Sequence, residues 1–210
     1  MQEGYDALGS GYAAWNARVE GDPRNRFLAD FAARLLAGVR VLDVGCGPGV
    51  PSTRELAERF QVVGVDLSEA QLRLARANVP RAAFVHADVS ALDLEDSSFA
   101  GIVALYSVSH LPRAEHADLF RRLAAWLEPG GLLLATLGAG DLPDWSGEWL
   151  GVPMFFSSHG PDENRALLAN AGFELLVDEV VEMREPEGPV SFLWVLARKP
   201  GVDPQPHLLH

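Results

Sequence analysis

Short apolar segments alternate with amphipathic ones through the middle of the chain, from about Val39 onward. The apolar segments carry Val, Leu and Ala without strict alternation, as strands do when both faces of a parallel sheet are buried. The predicted strands are residues 40–44, 62–65, 82–86, 101–106 and 132–137, and the predicted helices are residues 52–60, 69–78 and 113–127. This order predicts an α/β fold with a doubly wound, mostly parallel sheet and helices on both faces.

The flanking segments have a different character. Residues 8–19 and 25–37 predict an N-terminal helical cap, whereas residues 138–160 predict an irregular, aromatic-rich insertion. A helix over 162–171 precedes two strands, 173–183 and 190–198, which are close enough in sequence to pair antiparallel. We expect one domain over residues 1–199, with the cap at 1–38, the core at 39–137, a lid-like insertion at 138–160 and a flexible tail at 200–210.

Composition narrows the class of protein. A chain of 210 residues suits one hydrophobic core, and a net charge of −12 disfavours nucleic acid as a partner. No apolar run approaches the roughly 20 residues of a membrane span, and the N-terminus has no basic and apolar leader pattern, so the expected location is the cytoplasm, away from membranes. The single cysteine cannot form an intrachain disulfide.

The segment 41–49, VLDVGCGPG, carries the most informative chemistry. It predicts a buried strand that ends in a glycine-rich turn, where a ligand can approach the backbone because no Cβ stands in the way. Asp66 follows at the tip of the second strand, where a carboxylate can accept hydrogen bonds from both hydroxyls of a ribose. A glycine-rich turn alone is also typical of an ordinary strand-to-helix connection. A dinucleotide site would have a third glycine at position 50, and Val50 stands there.

Residues 41–131 resemble the class I S-adenosylmethionine-dependent methyltransferases through the motifs VLDVGCGPG, VVGVDLSEAQL, FVHADV and LEPGG. The resemblance implies a Rossmann-like, seven-stranded sheet whose C-terminal hairpin is antiparallel. It also implies S-adenosyl-L-methionine as cofactor and S-adenosyl-L-homocysteine as product. Asp66 would hold the ribose, Leu67 would pack on the adenine, and Asp88 with the Val89 amide would contact the adenine edge. The complete predicted cofactor set is Asp43, Gly45, Cys46, Gly47, Gly49, Asp66, Leu67, Asp88, Val89, Tyr106 and Tyr12.

Simpler structural roles compete with several of these assignments. Asp43 can cap the glycine turn, and Asp88 can form an Asx-turn. Cys46 is better explained as a small buried residue than as a nucleophile, because no activating base accompanies it in this stretch. Tyr106 can be a core aromatic whose hydroxyl reaches the edge of the pocket.

His110, in the segment after the fourth strand, is the candidate catalytic base, because an unperturbed imidazole titrates near neutral pH. The competing interpretation is that His110 hydrogen-bonds a loop or packs on the cofactor. Positioning of the acceptor supplies most of the rate enhancement in either case. No close His-x-x-His or Glu-x-x-His spacing supports a metal site, and we predict none.

Large aromatic side chains in the insertion and the N-terminal helices predict a substrate pocket. Its candidate residues are Trp15, Trp145, Trp149 and Phe155, and we expect the two segments to close over the cofactor as a lid. Packing alone is an equal alternative for each residue.

The sequence therefore predicts a methyltransferase that acts on a small molecule, as a monomer or a homodimer. The alternatives are a nicotinamide-dependent oxidoreductase and a non-catalytic module that binds a nucleoside cofactor.

Overall fold

The computed structural model describes residues 2–201, so part of the tail expected at 200–210 lies outside the described residues. The helices are α1 Gln2–Leu8, α2 Ser10–Asn16, α3 Arg24–Ala33, α4 Ser52–Ala57, α5 Glu69–Asn78, α6 Arg113–Trp126 and α7 Pro161–Asn170. The strands are β1 Arg40–Val44, β2 Gln61–Asp66, β3 Ala83–His86, β4 Phe99–Ala104, β5 Leu127–Gly138, β6 Leu142–Trp149, β7 Val152–Ser158, β8 Glu174–Glu185 and β9 Gly188–Arg198.

Seven strands form the central sheet in the order β3-β2-β1-β4-β5-β9-β8. Strands β1 to β5 pair in parallel, whereas β9 is antiparallel to both β5 and β8. The predicted Rossmann-like sheet with an antiparallel C-terminal hairpin is confirmed. Because the chain winds outward in both directions from β1 and β4, a crevice opens at the carboxyl ends of these two strands.

Alternate residues of the central strands enter two separate cores, one on each face of the sheet. Leu42 and Ile102 lie in the core that α6 and α7 cover. Their neighbours Val41 and Val103 lie in the core that α3 covers. Both faces are therefore apolar, which explains why these strands show no alternation of polar and apolar residues.

The N-terminal segment differs from the prediction of two helices over 8–19 and 25–37. Gly9 adopts a left-handed backbone conformation, with φ +48°, and interrupts the first helical segment between α1 and α2. The third helix, α3, packs on the sheet, where Phe27 stacks on Trp194 with 4.6 Å between ring centroids. Of these three helices, α1 and α2 therefore contribute to the cavity in the crevice, through Tyr5 and Tyr12, whereas α3 packs mainly on the sheet.

The insertion predicted to be irregular is a β-hairpin, and this prediction was wrong. Strands β6 and β7 pair antiparallel in a separate two-stranded sheet. Leu150 and Gly151 connect them with φ values of +51° and +78°, the conformation of a two-residue type I′ turn.

Within residues 2–201, no helix has both the length and the apolar character that crossing a membrane requires.

Candidate active site

The first cavity lies at the carboxyl ends of β1 to β4 and has a volume of about 300 Å³. It brings together residues from sequence segments far apart, as expected at the switch point of a doubly wound sheet. The predicted site residues that line it are Tyr12, Gly45, Gly47, Asp66, Leu67, Asp88, Val89, Tyr106 and His110.

The glycine turn needs its glycines for two different reasons. Gly45 and Gly47 have φ values of +72° and +53°, a region that other residues rarely adopt. A Cβ on Gly45 would lie 2.4 Å from the Cβ of Ser107, so Gly45 allows the segment after β4 to cross the turn closely. A Cβ on Gly47 would meet no atom within 4 Å among the described residues. Gly47 therefore leaves its backbone open to the cavity.

The carboxylate of Asp66 is held by the backbone at the rim of this turn. It accepts hydrogen bonds from the amides of Gly47 and Ser68, each at 2.8 Å. Burial raises the pKa of Asp66, while these amide donors act in the opposite direction. Each carboxylate oxygen has lone pairs for a further donor, as binding the hydroxyls of a ribose requires.

Asp88 forms the Asx-turn that was predicted as an alternative, and it also lies at the first cavity, where the cofactor prediction placed it. Its Oδ1 accepts from the amide and the hydroxyl of Ser90, both at 2.8 Å, which is an Asx-turn. The same side chain lines the first cavity. The turn therefore fixes the carboxylate without removing it from the cavity.

A smaller cavity of about 50 Å³ lies on the other side of the glycine turn and is lined by Asp43 and Cys46. Asp43 accepts a hydrogen bond from Thr53 at 2.6 Å, and burial raises the pKa of Asp43 to about 6. Burial also raises the pKa of Cys46, so its thiol stays protonated, as expected of a small buried residue.

Gly49 lines neither the first cavity nor this smaller one, in contrast to the prediction. A Cβ on Gly49 would lie 3.1 Å from Val79 Cγ2 and 3.3 Å from Ala75 Cα. Its role is therefore to let the end of α5 pack closely against the turn.

Arg24 is a site residue that the sequence did not reveal. Its guanidinium pairs with Asp22 at 3.0 Å and lies over the ring of Tyr106 at 4.9 Å. The residue is 9% exposed, and its Nε has no hydrogen-bond partner among residues 2–201. Arg24 lines the small cavity beside the glycine turn. It follows Gly21-Asp22-Pro23 at the start of α3, a pattern that predicts a helix start and gives no signal of burial.

Two further buried polar atoms belong to residues that line the first cavity. The hydroxyl of Ser107 and Oε1 of Gln71 have no hydrogen-bond partner within the described part of the chain, and both residues line the cavity. Leaving such groups buried and unpaired costs about 1–3 kcal/mol each. Together with Arg24 Nε, they are three polar groups beside the cavities that have no partner among the described residues.

A second cavity, of about 380 Å³, adjoins the first. Tyr5, Tyr12, Tyr106 and His110 line both cavities and form the wall between them. Residues of the hairpin and Phe192 of β9 also line the second cavity.

Six aromatic side chains of the second cavity contact one another in a closed order, which we call the aromatic circuit. Successive ring centroids are 4.9–5.9 Å apart. In order, the circuit is Tyr5, Tyr12, Trp15, Trp149, Phe156 and His110, which contacts Tyr5 again. These distances are typical of favourable aromatic pairs.

Of the predicted pocket residues, Trp15 and Trp149 line the second cavity, and Trp145 and Phe155 do not. Trp145 is 40% exposed and stacks on Phe156, which takes the place predicted for Phe155. Successive side chains of a strand point to opposite faces, so Phe155 and Phe156 lie on different sides of β7, a distinction that the prediction of an irregular segment could not make.

The hydrogen bonds of His110 define its tautomer. Its Nδ1 lies 3.1 Å from the carbonyl oxygen of Phe155, which can only accept, so Nδ1 carries the hydrogen. Its Nε2 then accepts from the hydroxyl of Tyr5 at 2.8 Å. Burial lowers the pKa of His110 to about 4, so the imidazole is neutral at pH 7.

Among residues 2–201, no group of three or more His, Cys, Asp or Glu side chains is arranged to hold a metal ion.

Comparisons with known proteins agree with this architecture. Residues 41–131 match the family described as "Methyltransferase domain". The trans-aconitate 2-methyltransferase of Methylobacterium nodulans is 43% identical over 124 residues, which cover 55% of this chain and 45% of that protein. The 27-O-demethylrifamycin SV methyltransferase of Amycolatopsis mediterranei is 40% identical over 106 residues, or 47% of this chain and 38% of that protein.

This chain therefore spans about half the length of the curated relatives it matches. Among solved structures, the 1,6-didemethyltoxoflavin-N1-methyltransferase of Burkholderia thailandensis has the same fold, with a TM-score of 0.74 and 23% identity over 95% of this chain and 87% of that one. Residues 41–131 of this chain are therefore similar in sequence to a methyltransferase domain, and the chain has the fold of a solved methyltransferase.

Proposed function

We propose that the protein transfers a methyl group from S-adenosylmethionine to a small-molecule acceptor, with the cofactor in the first cavity and the acceptor in the second. The observation that carries this proposal is the shared wall. Tyr5, Tyr12, Tyr106 and His110 line both cavities, so ligands in the two can meet at this wall. A protein that only stored the cofactor would not need the second cavity there.

The residues of the first cavity and the small cavity fit the parts of this cofactor. Asp66 would accept from the ribose hydroxyls, Leu67 would pack on the adenine, and Asp88 with the Val89 amide would hydrogen-bond its edge. The open backbone at Gly47 would accommodate the methionine part. The unpaired Nε of Arg24 would then donate to the carboxylate of that methionine part.

When bound, the cofactor supplies an activated methyl group on a sulfonium centre. The main task of the protein is then to orient the acceptor and to exclude water, and such positioning lowers a barrier by roughly 7–11 kcal/mol. Neither task requires a metal.

Helix α1 is placed to exclude water above the first cavity. Asp6 accepts from the Ser68 hydroxyl at 2.5 Å, which holds α1 against the start of α5. On its other side, a Cβ on Gly4 would lie 2.6 Å from the carbonyl oxygen of Pro153 in β7. Helix α1 is therefore in close contact with both α5 and the hairpin, and we assign α1, α2 and the hairpin as the lid.

We assign His110 as a positioning residue instead of a free base. A pKa of about 4 is poorly matched to proton abstraction near neutral pH. Its Nε2 instead fixes the hydrogen of the Tyr5 hydroxyl, so the lone pairs of that oxygen are available at the shared wall. Tyr5 would hydrogen-bond the acceptor there.

The fold argues against the nicotinamide-dependent alternative. The sixth sheet position, which continues in parallel in dinucleotide-binding folds, is occupied here by the antiparallel β9. Val50 also replaces the third glycine of the dinucleotide motif.

Calorimetry with S-adenosylhomocysteine and NAD tests the proposal. We expect the wild-type protein to bind S-adenosylhomocysteine and not NAD, and Asp66→Ala to bind it at least about tenfold more weakly. Turnover of S-adenosylmethionine with a panel of acceptors then separates an enzyme from a binding module. Binding of NAD alone would favour the oxidoreductase, and binding without turnover of any acceptor would favour the module.

A further inference from the structure

We infer that the acceptor is a planar aromatic molecule without a carboxylate group, bound inside the aromatic circuit of the second cavity. The inference rests on the proposed function, because it assigns the second cavity to the acceptor. It concerns the chemical class of that acceptor, which the similarity to known methyltransferases does not provide.

The walls of the second cavity are the first argument. All six members of the aromatic circuit line this cavity, and Tyr106 with Phe192 adds a further edge-to-face pair, with 5.1 Å between centroids. A flat π-system placed among these rings can make the same offset or edge-to-face contacts that the rings make with one another. A flexible aliphatic chain would forgo these contacts.

The charges around the cavity are the second argument. Among the described residues that line it, Arg24 is the one permanent cation; it pairs with Asp22, and the proposed function assigns its remaining donor to the carboxylate of the cofactor. Asp141 and Glu185 are the lining carboxylates. Asp141 pairs with Arg113, whereas burial and the neighbouring charge of Glu187 raise the pKa of Glu185. An acceptor with a carboxylate would therefore be desolvated beside negative charge with no cation free to receive it.

This charge pattern sets the chain apart from relatives named for trans-aconitate, which is a tricarboxylate. Binding three carboxylates requires several Arg or Lys side chains or exposed backbone donors. The second cavity has aromatic rings and neutral polar groups, among them Asn16 and the backbone of residues 138–140, and no second Arg or Lys among its described lining residues. The family match over residues 41–131 ends before the hairpin, so it does not describe the residues of β6 and β7 that line the second cavity.

The test uses three probes on the full-length protein saturated with S-adenosylhomocysteine: 2-naphthylmethylamine, 2-naphthoate and trans-aconitate. The two naphthyl probes share a ring system and differ in charge. By calorimetry we expect 2-naphthylmethylamine to bind at least about tenfold more tightly than 2-naphthoate, and both to bind more tightly than trans-aconitate. Glu185→Gln removes a carboxylate from the cavity wall, so it should reduce the difference in binding affinity between the two naphthyl probes.

Two tryptophans of the same strand provide a matched pair of variants. Trp149→Ala removes a member of the aromatic circuit and should weaken the binding of 2-naphthylmethylamine by about tenfold or more. Trp145→Ala removes a ring that stacks on Phe156 but does not line the cavity, so binding should change by less than about twofold. If Trp149→Ala does not fold, Phe192→Leu in the cavity lining replaces it, and the same loss is expected.

The outcomes separate this inference from the proposed function. If S-adenosylhomocysteine does not bind, the proposed function fails. If it binds but trans-aconitate or 2-naphthoate binds more tightly than 2-naphthylmethylamine, or Trp145→Ala and Trp149→Ala act alike, the inference is overturned while the proposed function stands.

Discussion

The hydroxyl of Tyr5 donates a hydrogen bond to Nε2 of His110 at 2.8 Å, and the two residues are 105 positions apart in the sequence. Their rings also meet edge-to-face, with 5.3 Å between centroids. The contact joins α1 to the single 3₁₀ turn that follows β4, Val108–His110. One pair of side chains therefore completes the wall between the two cavities and fastens the N-terminal helix over the sheet.

Tyr5→Phe removes this hydrogen bond while it keeps the ring. Because Nε2 of the buried imidazole loses its donor, we expect the free energy of unfolding to fall by about 1–3 kcal/mol in urea titrations. If the hydroxyl also orients the acceptor, kcat should fall by about tenfold or more while KM for S-adenosylmethionine stays within about twofold. If stability falls and kcat does not change, the Tyr5 hydroxyl has a structural role and does not orient the acceptor.

The buried imidazole of His110 should make stability depend on pH. In the unfolded chain His110 binds a proton below about pH 6.5, whereas in the folded protein its pKa is about 4. The unfolded state therefore binds more protons between these values, so this contribution to stability is present above about pH 6.5 and falls by about 3 kcal/mol as the pH drops to 4.

Asp43 acts in the opposite direction. Its pKa rises to about 6 in the folded protein, so its contribution is present below the unfolded value near 3.8 and is lost as the pH rises through 6. The wild-type profile alone therefore mixes two effects. His110→Gln isolates one of them, and the stability difference between wild type and variant, from urea titrations at pH 7.5 and 4.5, should shrink or reverse at the lower pH. A constant difference would contradict a neutral, buried His110.

The lining of the first cavity could be predicted from the sequence because its determinants are local. The glycine turn follows β1 directly, Asp66 ends β2, and Ser68 caps α5 through its hydroxyl, which accepts from Gln71 at 3.1 Å. Each of these features depends on residues a few positions apart. The α/β pattern then determines that the strand tips meet at one edge of the sheet.

The lining of the second cavity was harder to predict because it depends on contacts between distant segments. No local pattern connects Tyr5 with His110, or places Arg24 beside the glycine turn. The hairpin did leave a signal, since Trp145 and Trp149 alternate with polar residues before Leu150-Gly151, but a leucine at a left-handed turn position is unusual. The exchange of Phe155 and Phe156 followed from not recognising β7, because a strand's register decides which side chain faces the cavity.

Two glycines of the same turn should respond differently to alanine. In Gly47→Ala the new methyl group points into open space beside the cavity, so we expect a loss of about 1–2 kcal/mol from the positive φ and S-adenosylhomocysteine binding at least about tenfold weaker. In Gly49→Ala the methyl group also presses on Val79 and Ala75, which adds about 1–3 kcal/mol of destabilisation. Urea titrations and calorimetry distinguish the two. Similar losses of binding and stability in both variants would contradict this division of roles.

Arg24 and Asp66 should recognise opposite ends of the cofactor, and two ligands can separate them. S-adenosylhomocysteine has the amino acid carboxylate, whereas 5′-methylthioadenosine has the same nucleoside without it. Arg24→Gln removes the guanidinium beside the glycine turn. We therefore expect the variant to bind S-adenosylhomocysteine about tenfold more weakly, a loss of about 1.4 kcal/mol, and to bind 5′-methylthioadenosine within about twofold of the wild-type affinity.

Asp66→Asn is the matched control, because it changes the group assigned to the ribose that both ligands share. In calorimetry, this variant should lose affinity for S-adenosylhomocysteine and for 5′-methylthioadenosine by similar factors. Since Arg24 also pairs with Asp22 and lies over Tyr106, a general disturbance of this corner would weaken both ligands in Arg24→Gln as well. Equal losses of affinity for both ligands in Arg24→Gln would therefore show that Arg24 does not bind the carboxylate. A loss confined to S-adenosylhomocysteine would indicate that the methionine end of the cofactor points toward α3.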